Sequence, residues 1–266
     1  MNWLDKIIEN KKLELEKNNA WLSESEINNL KNLNCKNNKN FLEIFLNNKF
    51  SKNKFIIIGE IKSKSPSEGF IVPENNFDPV KIALSYEQAG MSALSVLTDH
   101  DFFNGSYEIL KKISDAVSIP VLCKEFILDT KQIYKAKYSG ADACLLIVRI
   151  LSQEKLIELI KLCESLEMTA LVEVFTEQEC ERALSAGAKL IGINNRDLNS
   201  LELDISRSER LRNLIYSLDL GGNIPVLSLS GVKHPSELED LKNKFSGVLI
   251  GTALMRSENP GEFLNV

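Results

Sequence analysis

Residues 143–174 read ACLLIVRILSQEKLIELIKLCESLEMTALVEV. Two short apolar runs, 143–148 and 170–174, flank a segment with a different period. Within 152–166, Leu156, Leu159, Ile160, Cys163 and Leu166 recur at helical intervals, so a helix here lays one apolar stripe on a neighbouring surface. Strand, helix and strand in this order make a βαβ unit, the building block of a parallel sheet.

The alternation extends in both directions. Apolar, β-branched runs at 55–60, 93–97, 121–125, 190–194, 225–229 and 247–250 bring the total to eight, each separated by room for a helix and two turns. Eight units close a barrel, and 266 residues suit a fold that commonly needs about 250. Ala89-Gly90, Ser139-Gly140-Ala141 and Ala186-Gly187-Ala188 each precede a run by a few residues, as left-handed helix C-caps do. Asp78-Pro79 reads as an N-cap with a first-turn proline, and Thr176-x-x-Glu179 as a capping box. The expected fold is α/β, a (β/α)8 TIM barrel with an N-terminal helical extension.

Residues 1–50 differ in character, being rich in Asn and Lys, with helical patterns at 3–15 and 27–33 and another near 41–46. Trp3, Leu4, Ile7, Ile8, Phe41 and Phe45 give these helices apolar faces to bury. The expected division is a helical extension over 1–50 packed on a catalytic barrel over 51–266.

A net charge of −5 gives no general attraction to nucleic acid or an anionic membrane, so an anionic ligand needs a local cluster of donors. Cys35, Cys123, Cys144, Cys163 and Cys180 form no C-x-x-C pair, and His100 and His234 stand apart from them. No metal is expected. No signal-peptide pattern begins at Met1 and no apolar stretch reaches the roughly 18 residues of a membrane span, so the expected compartment is the reducing cytoplasm.

Barrels of this kind place their chemistry at the C-terminal ends of the strands. Four charged residues fall there: Glu60 and Lys62 after the first run, Lys124 in the third and Glu173 in the fifth. Burying unpaired charges is costly, so two lysines and two glutamates converging on one mouth compensate one another and tune one another's pKa. The set is acid/base equipment or, alternatively, a stabilising ring of ion pairs. By alternation Glu60 and Lys62 share a face, Lys124 at the mouth turns Cys123 and Glu125 towards the helices, and Lys64 falls on a solvated loop. The turns Ser230-Gly231 and Gly251-Thr252 follow the seventh and eighth runs, where barrels often hold phosphate. Asn194 and Arg196 add donors to the same rim, unless Arg196 simply pairs with Asp197.

At these residues a family resemblance emerges. Ile58-Gly59-Glu60-Ile61-Lys62-Ser63-Lys64-Ser65-Pro66-Ser67 is similar to the first-strand signature of indole-3-glycerol-phosphate synthases. Phe103-Asn104-Gly105-Ser106, residues 120–126 (PVLCKEF), 171–174 (LVEV) and 191–198 (IGINNRDL) resemble further motifs of that family, in order along the barrel. The resemblance implies a carboxy-lyase of tryptophan biosynthesis. It converts 1-(2-carboxyphenylamino)-1-deoxyribulose 5-phosphate to indole-3-glycerol phosphate, with release of carbon dioxide and water and no cofactor. It also implies Lys124 as general acid, with Glu60, Lys62 and Glu173 in the remaining acid/base roles. Phe103, Phe126 and Leu145 match the apolar pocket for the anthranilate ring, Asn194 and Arg196 substrate contacts, and Ser65, Ser230, Gly231, Gly251 and Thr252 the phosphate side. The expected partner is thus a small phosphorylated substrate, with no nucleic acid and no membrane, and the chain is expected to be a monomer.

One position departs from the pattern. Where the family's seventh strand usually ends in Glu-Ser-Gly, this chain has Leu229-Ser230-Gly231, while Ser228 points to the other side. An active enzyme with altered rate or substrate positioning is expected. The alternatives are another phosphate-binding barrel such as phosphoribosylanthranilate isomerase, which lacks this first-strand motif, and an impaired barrel acting as a binding protein.

Overall fold

The computed structural model describes residues 2–17, 22–32, 39–46, 55–219, 221 and 224–264. Eight parallel strands close into a barrel: β1 (Ile56–Ile61), β2 (Ala93–Leu97), β3 (Val121–Lys124), β4 (Ala143–Ile147), β5 (Thr169–Val174), β6 (Ile191–Asn194), β7 (Val226–Leu229) and β8 (Gly247–Ile250). Each strand pairs with its sequence neighbours, and β1 meets β8 in the register Ile56 opposite Gly247 to Gly59 opposite Ile250. The expected TIM barrel is therefore present, with every strand boundary within one residue of the sequence reading.

The strands are buried on both sides, and this explains why they read as continuous apolar runs. Side chains on one face, including Ile58, Leu122, Leu145, Leu171, Leu227 and Leu249, fill the barrel interior. Those on the other face, such as Val96, Cys123, Leu146 and Val172, pack under the helices. Helix α7 (Gln153–Ser165) contributes the stripe read from its spacing, with Leu156, Leu159, Ile160 and Cys163 all buried.

The helix ends follow local chemistry. Asp78 accepts a hydrogen bond from the Lys81 amide ahead of α4 (Pro79–Ala89), and Gly90 ends that helix at φ 99°. Gly140 and Gly187 also take left-handed backbone, at φ 84° each. The expected box at Thr176 is only half formed. Thr176 accepts from the Glu179 amide, but the Glu179 carboxylate accepts from Phe175 N–H and pairs with Arg149. A complete capping box forms instead at Asp129 and Gln132, opening α6 (Thr130–Tyr138).

Three helices precede the barrel: α1 (Trp3–Lys17), α2 (Glu24–Asn32) and α3 (Glu43–Leu46). The last residue of the expected 27–33 helix and Cys35 lie outside the described residues. Phe41 and Phe45 stack 5.9 Å apart and join the interior cluster that includes Ile56. Lys39 donates to Val117 O at 2.6 Å, in the loop entering β3. Residues 39–46 thus plug the N-terminal end of the barrel. Helix α1 lies at the opposite end, where Leu4 and Ile7 join Phe126 and Ile147.

Lys64 corrects one expectation. The loop after β1 folds back as a short antiparallel pairing of Lys64 and Ser65 with Phe70 and Gly69. That brings Lys64 Nζ 3.3 Å from Asp101 O and 5.6 Å from the centre of the Phe70 ring, so the side chain has partners rather than free solvation.

The plug sets a stability test. Phe41 is fully buried, so Phe41→Ala is expected to cost about 3–5 kcal/mol in urea unfolding. A loss below about 1 kcal/mol would show that this ring fills no tightly packed space.

Candidate active site

The C-terminal ends of the strands open into a cavity of about 580 Å³. All four sequence-identified charged residues line it, as do the three apolar residues Phe103, Phe126 and Leu145, the rim residues Asn194 and Arg196, and Ser65, Ser230, Gly231, Gly251 and Thr252.

Glu60 is the centre of the charged group. Its Oε1 accepts from Lys62 Nζ and its Oε2 from Lys124 Nζ, both at 2.5 Å. Burial pushes this carboxyl upward, but the charges of Lys124 and then Lys62 outweigh it and hold the pKa at about 2. Lys124 shows the complementary effect. Desolvation lowers its pKa, while Glu60 and Glu173 more than restore it, so it stays an ammonium above its ordinary range. Glu173 has weaker compensation. Burial raises its pKa, and attraction to Lys124 and a 3.0 Å bond from Asn194 Nδ2 offset this only in part. One carboxylate is thus held ionised by its cations, while burial disfavours the charged form of the other.

Gly251 makes this packing possible. A Cβ there would strike the Glu60 carboxylate and lie 2.8 Å from Lys62 Nζ. Phe103 and Phe126 form one side of the cavity with ring centres 6.0 Å apart. At the other side, Ser230 and Gly231 take left-handed backbone at φ 66° and 106°. Such a conformation is costly for serine and needs surrounding support. Asn195 supplies it by donating from Nδ2 to Ser228 Oγ, Leu229 O and Ser230 O, while Ser208 Oγ donates to its Oδ1.

Several features correct or extend the sequence reading. Asn195, within the IGINNRDL stretch, has a supporting role that only its tertiary hydrogen bonds reveal. Arg196 does not pair with Asp197, since Arg196 Nη1 donates to Leu201 O and Asp197 pairs with Arg149. Cys123 faces the helices as alternation requires, but Glu125 does not: β3 ends at Lys124, alternation lapses, and Glu125 turns to Lys11 of α1. Trp3, Ile7, Lys233 and Arg256 also line the cavity. The apolar stripe of α1 signalled that Trp3 and Ile7 bury against something, but not against what. Leu229 is buried in the barrel interior, where a Cβ on Gly192 would lie 3.0 Å from its Cγ. Ser228 is on the opposite side, as expected.

A family model described as indole-3-glycerol phosphate synthase matches residues 4–265. The chain belongs to the indole-3-glycerol phosphate synthase family. Its relatives of that name include one from Aquifex aeolicus (strain VF5), 48% identical over 205 residues, or 77% of each chain. Another, from Prochlorococcus marinus (strain AS9601), is 46% identical over 220 residues, covering 82% of this chain and 72% of the relative. Solved structures agree on the fold. Tryptophan synthase subunit alpha from Legionella pneumophila str. Paris superposes with a TM-score of 0.59 at 13% identity, over 85% of this chain and 99% of that one. KGPDC from Streptococcus mutans superposes at 0.60 and 11% identity, over 80% and 97%. Among the described residues, no helix is long and apolar enough to cross a membrane.

The opposed pKa shifts give stability signatures of opposite sign. Glu60 is depressed below its unfolded value, so its contribution is present above about pH 4.5 and is lost as pH falls towards 2. Glu60→Gln is therefore expected to be less stable than the parent at pH 7, with the gap narrowing below pH 4.5. Glu173 is elevated, so keeping it ionised costs stability as pH rises past its unfolded value. Urea midpoints for Glu173→Gln are expected to gain on the parent as pH rises above about 4.5. Parallel pH profiles for parent and both variants would contradict the assignment.

Proposed function

We propose that this chain acts on 1-(2-carboxyphenylamino)-1-deoxyribulose 5-phosphate, closes the indole ring and releases carbon dioxide and water, with Lys124 as the general acid. The observation that carries this reading is the sharing of buried Glu60 by Lys62 and Lys124 in a cavity with an aromatic side and a serine–glycine side. In the first step the ring carbon bearing the carboxylate attacks the ketone carbon. A C–C bond forms, the carbonyl π pair moves to oxygen, and Lys124 protonates the developing alkoxide. An ammonium held charged by Glu60 and Glu173 stabilises that oxygen before and during proton transfer. Loss of carbon dioxide then returns electrons to the ring. Departure of the new hydroxyl as water needs one acid and one base. Lys62 and Glu60 are the pair assigned to that step, and Glu173, with its raised pKa, joins Lys124 in moving protons.

Phe103, Phe126 and Leu145 hold the anthranilate ring in this reading, with Asn194 and Arg196 as polar contacts. Ser65, Ser230, Gly231, Gly251 and Thr252 take the phosphate, with Lys233 adding positive charge to the same cavity, where Arg256 is paired with Glu68. Thr252 stands where the family often has serine, a change that a backbone donor does not feel. Residues 1–50 act as the extension to a catalytic barrel over 51–266. The enzyme is read as a cytoplasmic monomer. One chain supplies the whole acid/base group, and the free, buried Cys123, Cys144, Cys163 and Cys180 suit a reducing compartment.

Adding the substrate to the purified chain is expected to generate indole fluorescence. Lys124→Ala is expected to lower kcat by about 10²–10⁴. An inactive parent that still binds a phosphate ester would mark a disabled barrel, and gain of product in Leu229→Glu would then identify the missing carboxylate as the cause.

A further inference from the structure

Helix α1 carries a lysine that has no place in the chemistry above. Lys11 is 1% exposed, yet its ammonium is surrounded by carboxylates: Glu14 Oε2 at 2.6 Å, Asp99 Oδ2 at 3.1 Å and Glu125 Oε1 at 3.1 Å. Burial lowers the pKa of such a group, but Glu125 and Asp99 outweigh it and keep it charged. Burying a long cation and two carboxylates is costly unless the geometry is well satisfied. Here each carboxylate is also engaged with a loop of the barrel mouth.

Asp99, just past β2, accepts from the Phe102 amide at 2.9 Å. Glu125, just past β3, accepts from its neighbour Phe126 N–H at 2.8 Å and from Thr98 Oγ1 at 2.9 Å. These backbone bonds lie in the loops that present Phe103 and Phe126 to the cavity. Helix α1 supplies a third part of the same wall, since Trp3 and Ile7 line the cavity and the Trp3 ring meets Phe102 edge-on at 6.4 Å. An exposed bond from Asn10 to Asp101 runs alongside.

We propose that Lys11 is a positioning residue whose buried ammonium fastens α1 to Asp99 and Glu125, setting Trp3, Ile7, Phe103 and Phe126 as one apolar wall that receives the substrate's aromatic ring. The proposal rests on the ring-closing function above. Lys11 does not itself line the cavity and acts through Asp99 and Glu125. Because the wall holds the aromatic ring alike in the bound substrate and during ring closure, loosening it removes binding common to both states and raises KM more than it slows the chemical steps.

The test uses the full chain with Trp21→Phe, which leaves Trp3 as its single tryptophan. Into it go Lys11→Met and Lys11→Met/Glu125→Gln. The double variant also removes the Glu125 charge that Lys11→Met leaves uncompensated, and its amide keeps an oxygen to accept from Phe126 N–H and adds an N–H that Thr98 Oγ1 can accept, which guards against simple misfolding. Both variants are expected to raise KM for the carboxyphenylamino-deoxyribulose phosphate by about tenfold or more, with kcat within about threefold, and to increase acrylamide quenching of Trp3, which is 37% exposed in the parent. Parent-like KM and quenching in Lys11→Met would overturn the proposal. So would recovery of parental KM in the double variant, because charge compensation rather than anchoring would then be the whole role of Lys11. If the parent turns over no substrate, the ring-closing reading fails, and Trp3 quenching still decides whether Lys11 anchors α1.

Discussion

Glu60 sits 2% exposed at the end of β1, in a place where an ionised carboxylate survives only with cations in contact. It has two, and the rest of the site is arranged around that requirement. Lys62 reaches it from the same strand face two residues on, and Lys124 from β3 across the mouth. Closing the barrel through β8 brings Gly251 alongside, where any side chain would displace the carboxylate. The ion pairs therefore constrain three separate parts of the chain, and they keep Lys124 protonated in a setting that would otherwise strip its charge. Removing one partner would leave an uncompensated buried charge. The arrangement stands or falls as a unit.

Much of this was legible in the sequence, for identifiable reasons. Strands buried on both faces must be apolar throughout, so their limits show directly as in Val121-Leu122-Cys123. A charge inside such a run, as at Lys124 or Glu173, is conspicuous for the same reason. Alternation also assigned Glu60 and Lys62 to one face. The misses share a different cause. Glu125 lies one residue beyond β3, where backbone pleat no longer dictates direction, and its partner Lys11 is far away in sequence. Asn195 works through three bonds to β7, and Trp3 and Ile7 through contact with the far end of the barrel. No local period encodes such meetings. Thr176 and Glu179 illustrate a further limit, because a capping pattern competes with tertiary partners and here Arg149 takes part of the glutamate.

The two ends of the barrel are closed by different physics. Phe41 and Phe45 fill the N-terminal end as apolar bulk, with Lys39 tied to a backbone carbonyl. At the C-terminal end α1 combines an apolar stripe with the buried Lys11 cluster. Apolar packing alone would tolerate sliding of the helix, whereas an ammonium among three carboxylates has one favourable position. The end that must stay open to a ligand is thus the end whose covering helix is held by buried charge attraction to Asp99 and Glu125 as well as by apolar packing.

Leu229 bears on the same electrostatics from the opposite side of the barrel. Its Cα is the register partner of Asn194, and its side chain fills the space over Gly192 beside Leu171. The apolar interior consequently extends up to the base of Glu173 and Asn194 on this flank. Glu173 is left to be balanced by Lys124, by the Asn194 amide and by the charge of Arg149, and these fall short of the cost of burying it. A second carboxylate at 229 would compete for Lys124 and lift both acids further. With leucine there, Lys124 draws its attraction from Glu60 and Glu173, and the opposite shifts of the two acids, one lowered and one raised, follow from this chain's own interior packing.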